Sequence, residues 1–467
     1  MEGKHMAQAN SSAANERTKK EIIMDKFINW SFKWIPDSMV FVLILTLLVF
    51  VLSLVFTDHG PWQLVDDYAK GFWTLLTFAM QMSIMMITGF VISDAKPVKR
   101  FIIRLIDIPK TPKATIVVFA LITGVISWVH WGMGLMLTII MGKEIAIRKK
   151  GMGIHYAYIV AVAYTSMNIM ANGISQAAPL LSATPGNFLE KVMGVVPITQ
   201  TSLSPFMMTF LVFELICLPI IYLIIKPKKE HAVEISDELY AEFTKEAPAV
   251  DKSKTMTPAQ RMEQSRILTF LAGLMIMVWV VNLLITEGAA KINLNTINYA
   301  FFGLALLLHE NPASFIESVK TGAGTIYGVV IQFPLYAGIF GIISFSGLST
   351  VITNWFISIA TAETYPWIIF IYTGIMDFFV PSAGSKFVIE APYLIPAAQQ
   401  LGVPVQQVIN AYGTGAQVAN LIQPFWALAY LAAFKIKFQD ILPFTFLLWI
   451  FAALAGSIYF LLFPLGW

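Results

Sequence analysis

Much of the chain carries apolar residues without the alternation of polar positions that marks a half-buried strand or helix. Apolar runs occupy about 39–57, 71–93, 203–225, 267–286, 322–344 and 441–462, with a shorter one at 294–309. The longer runs match the roughly 20 residues that a helix needs to cross a bilayer. Four more, at 114–142, 157–183, 366–398 and 409–434, are interrupted by Gly, Pro, Ser or Asn. Ahead of them, residues 22–35 set Trp30 and Trp34 beside Lys26 and Lys33. That is the pattern of an amphipathic helix lying in the membrane interface.

Basic residues decide how these segments thread, because Lys and Arg gather on the cytoplasmic side. Six precede Met39, one (Lys70) lies in 58–70, and six lie in 94–113, so the first run leads out and the second leads back. After 114–142 come Lys143, Arg148, Lys149 and Lys150, which makes both flanks of that segment basic. One crossing cannot do this, and a single helix of that length would measure about 43 Å against a core of about 30 Å. The segment is predicted to be a re-entrant hairpin with its tip at His130-Trp131-Gly132-Met133-Gly134 and each arm reaching the midplane. Residues 346–365 and 399–411 hold no Lys or Arg. Between them, 366–398 breaks at Pro381-Ser382-Ala383-Gly384-Ser385 and is predicted to be a second hairpin, entering from the outer side. The expectation is an all-α polytopic membrane protein of about nine crossings, with the N-terminus inside and the C-terminus outside.

Self-comparison adds a repeat. Gly71, Thr74, Gln81 and Ser93 align with Gly322, Thr325, Gln332 and Ser344 at an offset of 251. Gly124 and Gly134 align with Gly374 and Gly384 at 250, and Ala163-Tyr164 with Ala411-Tyr412 at 248. Each repeat would hold four crossings and one hairpin, and the run at 267–286 would shift the second to the opposite face. Inverted repeats with broken helices at the midplane are the plan of many secondary transporters. The predicted organisation is a polar N-terminus and interfacial helix (1–38), a first membrane repeat (39–225, hairpin 114–142) and a cytoplasmic loop (226–266). A linking helix (267–286) and a second repeat (294–462, hairpin 366–398) complete it.

Composition agrees: 57% of residues are hydrophobic, 13% are charged, and the mean hydropathy is +0.70. A soluble domain averages about 25% charged residues. The single cysteine, Cys217, excludes an internal disulfide, and six scattered histidines give no zinc or iron–sulfur spacing. No cofactor is expected. The net charge of +3 reflects ordinary basic loops and points to no nucleic-acid partner.

The broken segments carry the candidate chemistry. Irregular backbone at membrane depth is tolerated where it is buried in protein or lines a wet cavity. Glycines at a tip leave N–H groups bare, and a helix N-terminus beside them favours an anion. Gly132, Gly134, Ser382, Gly384 and Ser385 are therefore candidates for holding a small carboxylate. Asn172, Asn420 and Gln423, in the two broken crossings, supply further polar points. His130 and Trp131 fit either ligand contact or interface anchoring. Gln81 and Gln332, in mid-span, fit either substrate contact or a helix–helix hydrogen bond. Lys386 and Glu390 stand four apart on one helical face. Either they neutralise each other, or Lys386 meets a substrate carboxylate while Glu390 tunes it or carries a proton. Asp377, Glu390 and Ser175 are the candidates for a coupling ion, Na+ or H+, and no other metal is expected. Glu214, alone in its span, reads as a helix-contact residue.

The stretches GFWTLLTFAMQM (71–82), WGMGL (131–135), APLLSATPGN (178–187), RMEQSRILT (261–269), VPSAGSKFVIEAPYLIPAAQ (380–399) and QPFWAL (423–428) resemble the bacterial short-chain fatty acid transporters of the acetoacetate/butyrate uptake type. The matching motif positions are Trp131, Gly132, Gly134, Pro381, Ser382, Gly384 and Gln423. The resemblance implies uptake of small monocarboxylates across the bacterial cytoplasmic membrane. The wider ion-transporter superfamily, which the hairpin plan resembles, implies an elevator movement and a homodimer. The expected function is thus a cation-coupled secondary transporter for short-chain carboxylates. The alternative is a cation/proton antiporter using Asp377 and Glu390. A membrane-embedded enzyme is disfavoured, because no HExxH, GxSxG or Walker A pattern occurs.

Overall fold

The computed structural model describes residues 38–170, 172–245 and 256–466, so the interfacial helix expected at 22–35 lies outside the described residues. Among the described residues all regular structure is helical. The first half holds α1 (Ser38–Phe56), α2 (Pro61–Gly71), α3 (Leu76–Asp94), α4 (Lys96–Asp107), α5 (Pro112–Val129), α6 (Trp131–Arg148), α7 (Tyr156–Met170), α8 (Ala177–Ser182) and α9 (Pro205–Ile225). Helix α10 (Asp237–Phe243) lies in the connecting loop, and α11 (Arg266–Glu287) links the halves. The second half holds α12 (Leu294–Leu308), α13 (Pro312–Ala323), α14 (Tyr327–Phe345), α15 (Leu348–Ile359), α16 (Tyr365–Asp377), α17 (Ala383–Leu401), α18 (Val405–Ala419), α19 (Leu428–Phe434) and α20 (Phe438–Leu462).

Seven of these, α1, α3, α5, α9, α11, α14 and α20, are long and apolar enough to cross a membrane. Their starts follow from local chemistry. Thr111 accepts a hydrogen bond from the Ala114 N–H with Pro112 in the first turn of α5, and Ser204 does the same for Met207 with Pro205 in α9. Helices α1 and α11 present their apolar side chains outward: Leu47 is 68% exposed and Ile285 is 78% exposed. In a soluble protein that surface would be untenable; here lipid covers it. The interior belongs to α17 and α18. Every residue of α17 from Gly384 to Ile395 is buried, charged ones included.

The halves repeat. Pro61 and Pro312 open α2 and α13, Leu76 and Tyr327 open α3 and α14, and each pair is 251 residues apart. The packing is reciprocal: α1 and α2 lie on α14, while α12 and α13 lie on α3. The α2–α14 crossing is close because Gly71 meets Ala337 and Gly341, where an added Cβ would stand 2.4 Å from the Ala337 carbonyl oxygen.

Two expectations need correction. The helix–tip–helix expected at 114–142 runs longer, from Pro112 to Arg148, with arms of 18 residues or about 27 Å each. The break between them is one extended residue, His130 (φ −154°, ψ 106°), and α6 continues through the charged but helix-favouring Lys143 to Arg148. The spans expected from 71 and 322 begin at Leu76 and Tyr327, because Gly71 and Gly322 belong to the preceding short helices α2 and α13. The loop after α9 is anchored: the Tyr156 N–H donates to the Val233 carbonyl (2.7 Å), Lys150 pairs with Asp237 (2.5 Å), and Lys435 pairs with Glu242.

Candidate functional site

At the first tip most donors are already engaged. The His130 ring caps α6, its Nδ1 accepting from the Met133 N–H at 3.1 Å. The Trp131 N–H donates to Ser175 Oγ (2.8 Å), and the Ile174 N–H to the Trp128 carbonyl (2.8 Å), so the break after α7 is stitched to the tip. His130 is fully buried with its ring 4.2 Å from that of Phe301. It faces α3 and α12. Gly132 and Gly134 are small for packing reasons: a Cβ on Gly134 would lie 2.3 Å from Ser127 Oγ, and one on Gly132 would press the His130 ring.

The second tip is more open. Ser382 occupies the N-cap position of α17 but its side chain makes no cap bond, leaving the first N–H groups of that helix free of a side-chain acceptor. Ser385 is fully buried and its hydroxyl has no partner among the described residues. Such donors, at the positive end of a helix, suit a carboxylate. A Cβ on Gly384 would stand 2.9 Å from that of Ala177, so this glycine lets α8 approach the tip.

The tips and the chain breaks meet through two tryptophans. The rings of Trp131 and Trp426 lie edge to face with centroids 5.9 Å apart, and Trp426 Nε1 donates to the Pro381 carbonyl at 3.0 Å. Behind them Gln423 donates to Asn420 Oδ1 (2.8 Å), Gln176 donates to Asn172 Oδ1 (3.0 Å), and the Tyr164 hydroxyl donates to the carbonyls of Asn420 and, at 3.2 Å, Gln423. Trp131, Ser175, Asn420, Gln423 and the Pro381–Ser385 tip are thus neighbours along one bonded path.

Beside the second tip sits a buried charge cluster. Lys386, Asp377 and Glu390 are each at most 2% exposed. Of the two alternatives for Lys386 and Glu390, direct mutual pairing is not what the side chains form. Lys386 Nζ lies 3.1 Å from Asp377 Oδ1, off the direction a hydrogen bond needs, and donates to the Thr373 carbonyl at 2.8 Å. It also stands 5.3 Å from the Tyr412 ring centroid. Glu390 instead accepts from the hydroxyls of Tyr372 (3.0 Å) and Tyr412 (2.6 Å), and the Tyr372 and Tyr393 hydroxyls are bonded at 2.9 Å. The ammonium is thus engaged by Asp377 and Thr373 of its own hairpin.

Other sequence candidates lie apart from this path. Gln81 donates to Asn295 Oδ1 at 2.6 Å, a contact between α3 and α12. Gln332 is half-buried on α14. Glu214 lines a small enclosed space with Asn172, Thr414 and Gln417. An open cleft of about 830 Å³, lined by Glu144, Arg148, Lys150, Glu234, Tyr240 and Phe243 among others, lies at the far end of α6 from its tip. Sequence reasoning missed Tyr164, Tyr372, Tyr393, Tyr412 and Trp426 as site residues. Tyr164 and Tyr412 were marked only as a repeat match, and Trp426 only as part of a motif; Tyr372 and Tyr393 carry no sequence signal.

Comparison with known proteins agrees with the resemblance. A family model described as "Short chain fatty acid transporter" matches residues 21–463. A protein of Escherichia coli (strain K12) is 34% identical over 422 residues, covering 90% of this chain and 93% of that protein. One from Haemophilus influenzae is 31% identical over 428 residues, covering 90% of this chain and 95% of that protein. Both bear the name "Putative short-chain fatty acid transporter". The solved YdaH transporter of Alcanivorax borkumensis shares the fold at a TM-score of 0.57 and 14% identity, over 92% of this chain and 100% of that one. The long apolar helices and these relatives make the protein a multi-pass transporter of the bacterial inner membrane and not an enzyme. The chain belongs to the short-chain fatty acid transporter family.

Proposed function

We propose that the protein takes up short-chain fatty acids or closely related small carboxylates, driven by Na+ or H+. The observation that carries this reading is the meeting of both tips with both chain breaks through Trp131, Trp426 and Pro381. The substrate carboxylate would lie at the N-terminus of α17, taking hydrogen bonds from backbone N–H groups and from Ser382 and Ser385. The apolar tail would rest on Trp131 and Trp426. Asn420, Gln423, Asn172 and Ser175 hold the breaks open around it, and Asp377, Glu390 and Ser175 are the groups nearest in kind to a coupling cation's needs.

Inverted repeats belong to the same proposal, with nine crossings, the N-terminus inside and the C-terminus outside. The reciprocal packing of α1 and α2 on α14, and of α12 and α13 on α3, supports the two-fold relation. An elevator movement of the hairpins against α1–α3 and α11–α14, in a homodimer, is how such a plan would carry substrate across. The test is counterflow of labelled butyrate in proteoliposomes loaded with unlabelled butyrate, with acetoacetate, lactate, succinate and an amino acid as competitors. Butyrate and acetoacetate should compete strongly and succinate weakly. Absence of counterflow for every carboxylate, beside sodium-dependent proton flux, would favour an antiporter instead.

A further inference from the structure

The charge cluster in the second hairpin holds two carboxyls against one ammonium, all buried. Lys386 Nζ sits where a bare cation would: 3.1 Å from a carboxylate oxygen of Asp377, 2.8 Å from the Thr373 carbonyl oxygen, and over the face of Tyr412. Carboxylate and freed carbonyl oxygens are the ligands that sodium takes. A tethered ammonium already fills that position. The remaining carboxyl, Glu390, forms no ion pair among the described residues; both its oxygens accept from tyrosine hydroxyls instead. The charged and titratable groups facing it are Tyr372 and Asp377 from α16, Tyr412 from α18, and Lys386 and Tyr393 from its own helix. With all three charges present the cluster carries one net negative charge, and a single proton neutralises it. A bound monocarboxylate adds a second negative charge, which that proton offsets, so the empty and the fully loaded protein cross with the same charge and the costlier doubly negative form is avoided.

We infer that Lys386 is a built-in cation standing in for sodium, and that Glu390 binds the one proton that accompanies each carboxylate anion through the protein. This rests on the carboxylate-uptake reading above and narrows its driving ion. The proton comes from water on the entry side, forms the O–H bond on Glu390, and returns to water on the exit side. One proton with one monocarboxylate makes the cycle electroneutral.

The test uses the full chain in proteoliposomes with labelled acetoacetate, initial rates being corrected for flux into protein-free liposomes. Counterflow without any gradient comes first, since its absence in the wild type would count against carboxylate transport itself. Given counterflow, an inward proton gradient should accelerate uptake and support about tenfold accumulation per pH unit. Replacing sodium by choline should change the rate less than about twofold, on the same tenfold-per-unit scale, and an imposed membrane potential should leave it unchanged. The Glu390→Gln variant should lose the response to the proton gradient, measured relative to its own counterflow. Accumulation driven by a sodium gradient alone overturns the inference, and so does a Glu390→Gln protein that still responds to the proton gradient. Should that variant fail to fold, the choice between sodium and proton gradients in the wild type decides the matter.

Discussion

At the 250-residue offset of the repeat, the first hairpin sets Thr123, Ser127, Met136 and Ile140 against Thr373, Asp377, Lys386 and Glu390 of the second. In the first, the hydroxyls of Thr123 and Ser127 bond to carbonyls one turn back in their own helix, at 2.8 and 2.7 Å, and the other two positions are apolar. In the second, the Thr373 hydroxyl has no partner among the described residues while its carbonyl receives Lys386. A helix–tip–helix of this shape can therefore be held without an ionisable group at these four positions. Desolvating two charges rarely stabilises a fold better than apolar packing would. Under the proposed function, the first hairpin would be the neutral wall of the site and the second would carry the charge to be managed during transport.

Exchanging the two sets breaks the comparison most severely. Lys386→Met alone strands Asp377 without a cation and should cost about 3–5 kcal/mol, read as a lower melting temperature in detergent. Adding Asp377→Ser, which installs the first hairpin's pair of residues, should recover most of that loss. A double variant as unstable as the single one would mean that the hairpins are not interchangeable in structure.

A smaller effect separates the tip glycines. An alanine methyl at Gly134 would meet Ser127 Oγ at 2.3 Å and Ser127 Cα at 2.8 Å, so Gly134→Ala should cost about 1–3 kcal/mol. At Gly384 the nearest atom is the Ala177 methyl at 2.9 Å, with Phe78 next at 3.4 Å, and the cost should be lower. Equal melting temperatures for the two variants would contradict this. Trp426→Phe removes the donor to the Pro381 carbonyl and should cost about 0.5–1.5 kcal/mol. Its counterflow rate should fall further than its stability does, since the lost bond joins a tip to a chain break.

The smallest effect belongs to the exposed rim. Lys96 pairs with Glu310 at 2.7 Å, and the hydrogen bond from Lys96 holds that carboxyl below its ordinary range. Both side chains are largely in solvent, so Lys96→Ala should cost under about 1 kcal/mol. A depressed carboxyl contributes above its unfolded value and loses its contribution as pH falls through the folded one. The variant and the wild type should therefore converge in melting temperature on acidification from neutral pH. A gap that widens in acid would reverse the assignment.

The apolar runs announced most of the long helices, and the interruptions near 130 and 381 announced the two helix–tip–helix elements, because lipid imposes length rules that one sequence displays. The breaks at Asn172 and Asn420 were legible for the same reason: glycine, proline and amides have no ordinary place in a bilayer. The short helices α2, α4, α13 and α15 were not, since each follows or precedes an apolar run closely enough to merge with it. Side-chain pairing was the least legible. The spacing of Lys386 and Glu390 suggested a pair on one face, but Asp377 across the tip lies closer in space, and the two tyrosines that satisfy Glu390 come from two other helices.

The central claim is that a small carboxylate binds where the two tips meet the broken crossings. An experimental density map of the full chain in lipid nanodiscs with saturating butyrate tests it directly. Ligand density is expected at the N-terminus of α17, bordered by Ser382, Ser385, Trp131 and Trp426. Butyrate found instead in the cleft lined by Arg148, Lys150 and Tyr240, with the tips empty, would contradict it.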